Sequence, residues 1–590
     1  RILRDFLAVL RPFFTDKDTR VRARALGVLL VVFCVLRTGN TVFISYIQKD
    51  IMTGLSSKDA GKFYRSLYRF LGVVCYSVPL YTFFDYLQEQ FALQWRGFLT
   101  RLMLKRYFEH RAFFRLEQEE QHEVDNPDQR ICNDINNFVV QTTGLLVLVV
   151  FRVLSLFAFC GVLWSYDPRI VFFMLGYAAT GTWVTVHFFG GRLMQLHARS
   201  LQQEADLRFS LVRVRENVES IAFYKGEEAE RQVAGSRLDT LLGTLDKRIR
   251  CLRDFGFFSN AYDFATIAVP FFLMAPAYFR GDIEFGVISQ INVAFSNVLK
   301  TFTIIVERIQ ELSGFAAEIR RLSSLMVALD YSQHKLLASG STTLERVDSS
   351  NLQSVFAKDL RLLTPSGKLV LVDGLSFHLA VGQSLLIVGP SGCGKSSILR
   401  ALAGLWDKGS GQVGFPMQAA TFFLPQKPYM PQGTLRQQVE FPSWLGSMMS
   451  GKPDELPIAS PRGHFSTQQV LRVLEQVGLA ELPSRVGGLD EMMHSWGAVL
   501  STGEQQRIAI ARLLLHQPMV AVLDEASSAL DADNEARVYS LLQQSTQTYI
   551  SVGHRESLVQ FHTHVLQGGE GAEWRMYTRE EYKAARGRVR

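Results

Sequence analysis

Gly389-Pro390-Ser391-Gly392-Cys393-Gly394-Lys395-Ser396 has the spacing G-x-x-x-x-G-K-S; Leu385-Leu386-Ile387-Val388 precedes it and Ser397-Ile398-Leu399-Arg400-Ala401-Leu402, helical in character, follows. A strand, a glycine-rich turn and a helix in this order read as a phosphate-binding loop. The glycines let backbone amides close around phosphate oxygens, Lys395 supplies a point charge for the β and γ phosphates, and the Ser396 hydroxyl suits a Mg²⁺ ion. The candidate ATP-binding set here is Gly389, Ser391, Gly392, Cys393, Gly394, Lys395, Ser396 and Ser397. The loop does not say what the nucleotide energy is used for.

At 590 residues the chain exceeds the size at which one hydrophobic core keeps growing, so two or more domains are expected. Hydrophobic residues make up 47%, mean hydropathy is +0.08, and the long apolar segments all lie before about residue 315, ahead of the phosphate loop. The net charge of +7 comes from Lys and Arg beside apolar spans, where the cytoplasmic flanks of membrane helices carry them. No basic stripe combines with stacking aromatics outside that half, which excludes a nucleic-acid partner. Cysteines at 34, 75, 132, 160, 251 and 393 have the spacing of neither a metal site nor a disulfide framework. The first residue is Arg1, which puts any targeting segment outside this sequence.

Six runs near twenty apolar residues, about 25–47, 67–92, 139–164, 170–190, 255–280 and 285–312, predict six membrane spans. The second and sixth are interrupted by polar residues. The long segments 93–138 and 191–254 carry Arg96, Arg101, Lys105, Arg106, Arg111, Arg192, Arg199, Arg208, Arg213 and Arg215, whereas the turns 165–169 and 280–284 are short. Positive charge marks the long segments as cytosolic, on the side of the phosphate loop, and their periodicity extends the membrane helices into the cytosol. Arg37, Asp85 and Arg152 lie inside spans and Arg69 nearer an end. Such charges either pair or snorkel, or face a cavity and suit an anionic substrate.

Downstream of the loop, Met519-Val520-Ala521-Val522-Leu523-Asp524-Glu525 is an apolar strand ending in two carboxylates. Asp524 is placed for the Mg²⁺ shell and Glu525 to polarise the attacking water. Gln426, after Phe423-Leu424-Pro425, offers an amide to the metal or that water, and His554, after Tyr549-Ile550 and Ser551-Val552-Gly553, could reach the γ-phosphate. The catalytic candidates are Glu525, His554 and Gln426; the metal candidates are Ser396, Gln426 and Asp524. In Leu500-Ser501-Thr502-Gly503-Glu504-Gln505-Gln506-Arg507 a Ser-x-Gly turn opens a helix, an anion site of backbone amides and a hydroxyl.

With Ser528-Ala529-Leu530-Asp531, these motifs together make the chain resemble an ATP-binding cassette (ABC) transporter over all its 590 residues. The likeness is to the D subfamily of half-transporters and its bacterial relatives. Asp125-Asn126-Pro127-Asp128-Gln129-Arg130, the stretch Glu216 to Glu227, Trp496 and Pro425-Gln426-Lys427-Pro428-Tyr429 carry it. The resemblance implies an α-helical six-span domain of the type IV exporter fold, followed by an α/β cassette. It implies a homodimer in which Ser501, Gly503 and Glu504 close over the ATP of a second copy. It also implies coupling elements near 113–130 and 216–230, and a substrate among acyl-CoA or fatty acid, cobalamin and peptide. The membrane is then peroxisomal, lysosomal, plastid or bacterial inner; a regulatory membrane partner that moves nothing itself is the alternative.

Two departures stand out. Leu360 to Pro365 lacks the aromatic on which many cassettes stack adenine, and Thr502 and Glu504 replace the commoner Gly and Gln. The expected boundaries are a membrane domain 1–334, a polar linker 335–354 and a cassette 355–590, with a surface loop over 441–465.

Overall fold

The computed structural model describes residues 2–118, 124–307, 309–338, 344–347, 354–406, 408–416, 421–442, 465–569 and 572–587, with side chains 302–313 and 332–338 outside that description. The chain forms two compact units, Arg1–Glu117 with His122–His334, and Lys335–Arg590 with Gln118–Gln121.

The first unit is helical. Arg20–Ser56, Ala60–Glu117, Pro127–Trp164, Pro168–Glu216 and Glu227–Phe279 are long and apolar enough to cross a membrane. The sixth expected span falls on the helix Phe285–Glu307, whose end lies among the undescribed side chains. These helices outrun the apolar runs: Glu227–Phe279 has 53 residues, about 80 Å at 1.5 Å per residue, well over the roughly 30 Å hydrocarbon layer. At the far end, Val218–Tyr224 forms a short helix stopped by Lys225 in the left-handed region (φ 53°), with Phe223 and Tyr224 78% and 86% exposed.

Sequence reading missed the amphipathic helix Ile2–Thr15. Its place is set by distant partners: Phe13 stacks on Trp95 at 5.7 Å, and Trp95 meets Phe138 edge-on at 5.6 Å. Of the charges inside spans, Arg37 lies over the rings of Tyr81, Phe84 and Phe151 at 5.1, 5.1 and 5.0 Å, a cation–π seat that replaces water around the guanidinium.

The segment leading into the third span begins with Asn126 in the left-handed region and Pro127, and passes through a π-helical turn Arg130–Asp134. That turn points two buried charged side chains at the helix Ile309–Ala338. Arg130 Nη1 donates to the Arg321 carbonyl at 2.9 Å and to Ser324 Oγ at 2.8 Å, and Nη2 donates to Asp125. Arg321 donates to both oxygens of Asp134, at 2.7 and 3.0 Å. A bidentate pair fixes direction as well as contact.

In the second unit, a six-stranded sheet has the spatial order Trp574–Thr578, His564–Gly568, Ser384–Val388, Thr548–Val552, Val520–Asp524, Thr421–Leu424. From His564–Gly568 to Thr421–Leu424 every neighbour is parallel. A parallel strand is covered on both faces, so it reads as an unbroken apolar run; Leu385, Leu386 and Ile387 are 0% exposed. A second sheet orders Leu344–Val347, Gly409–Gly414, Val355–Leu363 and Val370–Leu379. Part of the segment 335–354, expected as a linker, is therefore ordered: a helix reaches Ala338 and Leu344–Val347 pairs with Gly411 to Gly414. Most of the expected loop 441–465 lies outside the described residues.

Two arginines test these accounts. Arg321→Ala leaves the Asp134 carboxylate, 3% exposed, without its bidentate partner. We expect a loss of about 2 kcal/mol, below the roughly 3–5 of a fully buried pair because Arg321 is half-exposed, and a milder loss for Arg321→Lys, read by thermal unfolding in detergent. Arg512 donates to the Gln438 and Tyr429 carbonyls at 2.5 and 2.7 Å, and burial pushes its guanidinium down to about 10, so it stays charged. Arg512→Met strands both acceptors and should lower the midpoint of cassette unfolding by several degrees.

Candidate functional site

Parallel strands deliver their C-terminal ends to one edge of a sheet, and ligands of α/β folds bind there. In this cassette four adjacent strands do so. Ser384–Val388 runs into the loop 389–394, Thr548–Val552 leads to His554, Val520–Asp524 ends at Asp524 and Glu525, and Thr421–Leu424 leads to Gln426. The sheet order brings together four motifs that are far apart in sequence.

The loop itself turns through Gly392 (φ 81°) and Gly394 (φ 104°), conformations that cost a side-chain-bearing residue strain. At Gly394 a Cβ would also lie 3.3 Å from Leu371, so no side chain fits without displacement. The helix Lys395–Leu402 starts there, its first amides facing the loop. Lys395, 7% exposed, donates from Nζ to the Gly389 and Pro390 carbonyls at 2.9 Å each. Those bonds hold the ammonium inside the loop where phosphates would meet it.

Ser396 Oγ donates to Asp524 Oδ1 at 3.2 Å. Burial, with the neighbouring Glu525 charge, pushes the Asp524 carboxyl above its ordinary value against that hydrogen bond and the pull of Arg400 and Lys395, so a further cation at this carboxylate is favoured. Among the described residues no group of three or more His, Cys, Asp or Glu could hold a metal. One carboxylate beside one hydroxyl instead fits a Mg²⁺ ion that takes its remaining ligands from phosphates and water.

Glu525 sits just past the strand in the left-handed region (φ 50°), a strained conformation of the kind that collects at functional sites. Its Oε2 accepts from Gln426 Nε2 at 2.9 Å, and its Oε1 lies 3.0 Å from His554 Nε2. The sequence assigned these two side chains separately, to metal or water and to phosphate. Here both grip the same carboxylate, so Glu525 is oriented from two sides.

Ser501 caps the helix Thr502–His516. Its Oγ accepts from the Glu504 amide at 3.3 Å, while Glu504 Oε2 accepts from the Ser501 amide at 2.9 Å and from its hydroxyl at 3.2 Å. This reciprocal capping box fixes the turn. Thr502 is exposed and takes no part in it. Gly503 runs close to the Ala529 carbonyl, which a Cβ would meet at 3.4 Å. Among the described residues no hydrogen bond joins Ser501, Thr502, Gly503 or Glu504 to the phosphate loop of the same chain.

Two residues here escaped the sequence reading. Gln506, 4% exposed, accepts from the Ala529 amide at 3.0 Å and donates to Ser528 Oγ at 3.3 Å, tying the helix after Ser501 to the turn after Glu525. The motifs on both sides were visible, but not that one side chain joins them. Arg485 donates to Glu504 Oε1 at 2.8 Å from a different segment, and no sequence pattern announces it. The stretch Leu360 to Pro365 has no aromatic ring; Leu360 and Leu362 are buried in their own sheet.

Known proteins match both units. The family described as ABC transporter transmembrane region 2 matches residues 12–279, and that described as ABC transporter matches residues 372–528. An uncharacterized ABC transporter ATP-binding protein of Synechocystis is 38% identical over 93% of this chain and 81% of its own length. The chloroplastic ABC transporter D family member 2 of Arabidopsis thaliana is 34% identical over 95% of this chain and 85% of its own. The lysosomal cobalamin transporter of Homo sapiens is 30% identical over 98% and 96%. With five helices among the described residues able to cross a membrane and a cassette that gathers its motifs at one sheet edge, the chain belongs to the ABC transporters, in the group of D-family members and their bacterial relatives, and is an ATPase coupled to membrane transport.

Proposed function

We propose that the chain is a half-transporter working as a homodimer, with two ATP molecules sandwiched between cassettes. The observation that carries this is the division of the site. One chain holds one phosphate loop with its Ser396–Asp524 and Glu525 clusters, and one capped Ser501 turn that makes no hydrogen bond to that loop. A second copy supplies the missing face, Ser501 and Gly503 towards the phosphates and Glu504 behind them, fixing the turn through its capping box. The membrane domain comprises residues 1–334, the connection 335–354 and the cassette 355–590.

Lys395 exchanges its two loop carbonyls for phosphate oxygens when ATP enters, and the loop residues from Gly389 to Ser397 enclose the phosphates. Ser396, Asp524 and Gln426 would hold Mg²⁺, which when bound would supply charge neutralisation at the transferring phosphoryl group. Glu525, held by Gln426 and His554, orients the water for in-line attack and takes its proton, and His554 contacts the γ-phosphate once ATP is bound. Cassette closure then switches the membrane half between facing sides, through the elements near 113–130 and 216–230.

The substrate is a hydrophobic or amphipathic molecule such as an acyl-CoA, a fatty acid or cobalamin. A groove of about 710 Å³ between the first two span helices supports this class. Its lining includes Val35, Leu36, Phe43 and Val73 together with Arg69, and among the described residues Arg69 has no ion-pair partner. The membrane is organellar or the bacterial inner membrane; the cobalamin relative is lysosomal and the D-family relative chloroplastic by name.

Glu525→Gln should lower ATP hydrolysis by at least roughly 10²-fold, the scale of a lost general base, while the protein retains ATP through gel filtration. Hydrolysis at the native rate would contradict the assignment. ATPase assays of the reconstituted chain with acyl-CoA, cobalamin and peptide test the substrate class: stimulation by either of the first two supports it, and stimulation by peptide alone contradicts it.

A further inference from the structure

The Ser501 turn carries an unusual burden for a surface that is to receive a triphosphate. The amino end of a helix attracts anions, yet this one already holds a carboxylate: Glu504, in the first turn, with its Oε2 on the Ser501 amide and hydroxyl. An ionised Glu504 beside Ser501 would repel an incoming phosphate, since like charges a few ångströms apart at a half-wet surface interact strongly. Arg485 answers that charge. Its Nη1 donates to Glu504 Oε1 at 2.8 Å, the oxygen that Ser501 leaves free.

The placement is not accidental to the fold. Arg485 ends the short helix Leu482–Arg485, anchored by Leu482, Val486 and Leu489 at 3%, 4% and 8% exposure, and the chain then turns through Gly487 with φ 81°. Arg485 itself is 50% exposed against 15% for Glu504. An ion pair with one partner so wet adds little to stability. The guanidinium holds the Glu504 carboxyl down to about 2, with the Ser501 amide and hydroxyl also contributing, so Glu504 stays charged throughout the physiological range and needs a standing counter-charge.

We propose that Arg485 is a positioning residue for the ATPase reaction: by neutralising Glu504 it makes the Ser501 turn receptive to the γ-phosphate of the nucleotide held by a second copy of the chain. The proposal rests on the two-copy sandwich above. The turn gains from Glu504 a rigid cap that a neutral residue would hold less firmly, and Arg485 removes the electrostatic penalty of that cap.

The test is the ATP dependence of hydrolysis by the full-length chain. Arg485→Met should raise KM for ATP about tenfold with kcat within about twofold, as expected for a lost charge at a binding surface, and leave the thermal unfolding midpoint unchanged. Adding Glu504→Gln to Arg485→Met should bring KM back towards the native value, because the charge needing neutralisation has gone, and Arg485→Lys should fall between. An unchanged KM in Arg485→Met, or a defect that Glu504→Gln does not relieve, would overturn the proposal. In a Glu525→Gln background the two levels separate. If that chain retains no ATP through gel filtration, the sandwich has failed; if it does, and Arg485→Met does not raise the ATP concentration needed, the role of Arg485 has failed.

Discussion

Everything in the nucleotide half depends on one constraint: parallel strands hydrogen-bonded in order must present their carboxyl ends along one edge. Ser384–Val388 lies between His564–Gly568 and Thr548–Val552, and Val520–Asp524 between Thr548–Val552 and Thr421–Leu424. The register is continuous, Ile550 facing both Leu385 and Val522. With that register set, Lys395, the Asp524-Glu525 pair, Gln426 and His554 arrive together from four separate stretches of sequence. The strained backbone at Glu525 is tolerated because strands buried on both sides hold it. The carboxylate is then finished by two hydrogen bonds from neighbouring strand ends, a support that aims it before any substrate arrives.

The membrane half is built on a different principle. Its helices are longer than a bilayer requires, and the excess is organised by aromatic packing and by buried charge. Phe13, Trp95 and Phe138 gather the first helix onto the second and third spans, while Arg130, Asp134, Arg321 and Ser324 lock the start of the third span onto the helix that runs on into the linker region. A buried ion pair contributes little net stability but strongly penalises any arrangement that breaks it. Such a lock suits a unit whose helices must move as bodies rather than bend.

The cassette motifs could be read because each is local: an apolar strand, then a polar residue or glycine turn at fixed spacing. Span positions could be read because apolar runs are long. What stayed hidden was set by pairing across the chain. Nothing near Ile2–Thr15 says that Phe13 will stack on a tryptophan far away, and nothing near Arg485 says that it will meet Glu504. The strand Leu344–Val347 hid inside a Ser- and Thr-rich stretch because its order comes from pairing with Gly409–Gly414, not from its own composition. Gln426 and His554 were visible as polar residues after strands, but their shared grip on Glu525 follows only from the sheet order.

The central claim is that Ser501 of one copy faces the phosphate loop of another. Cys393, inside the loop, is a native probe for it. A chain carrying Ser501→Cys, loaded with ATP and with Glu525→Gln to prevent hydrolysis, then treated with a bifunctional thiol reagent long enough to reach past the nucleotide, should form a linked species of two chains that disappears when Cys393→Ser is added. Absence of that species, or its persistence without Cys393, would contradict the account.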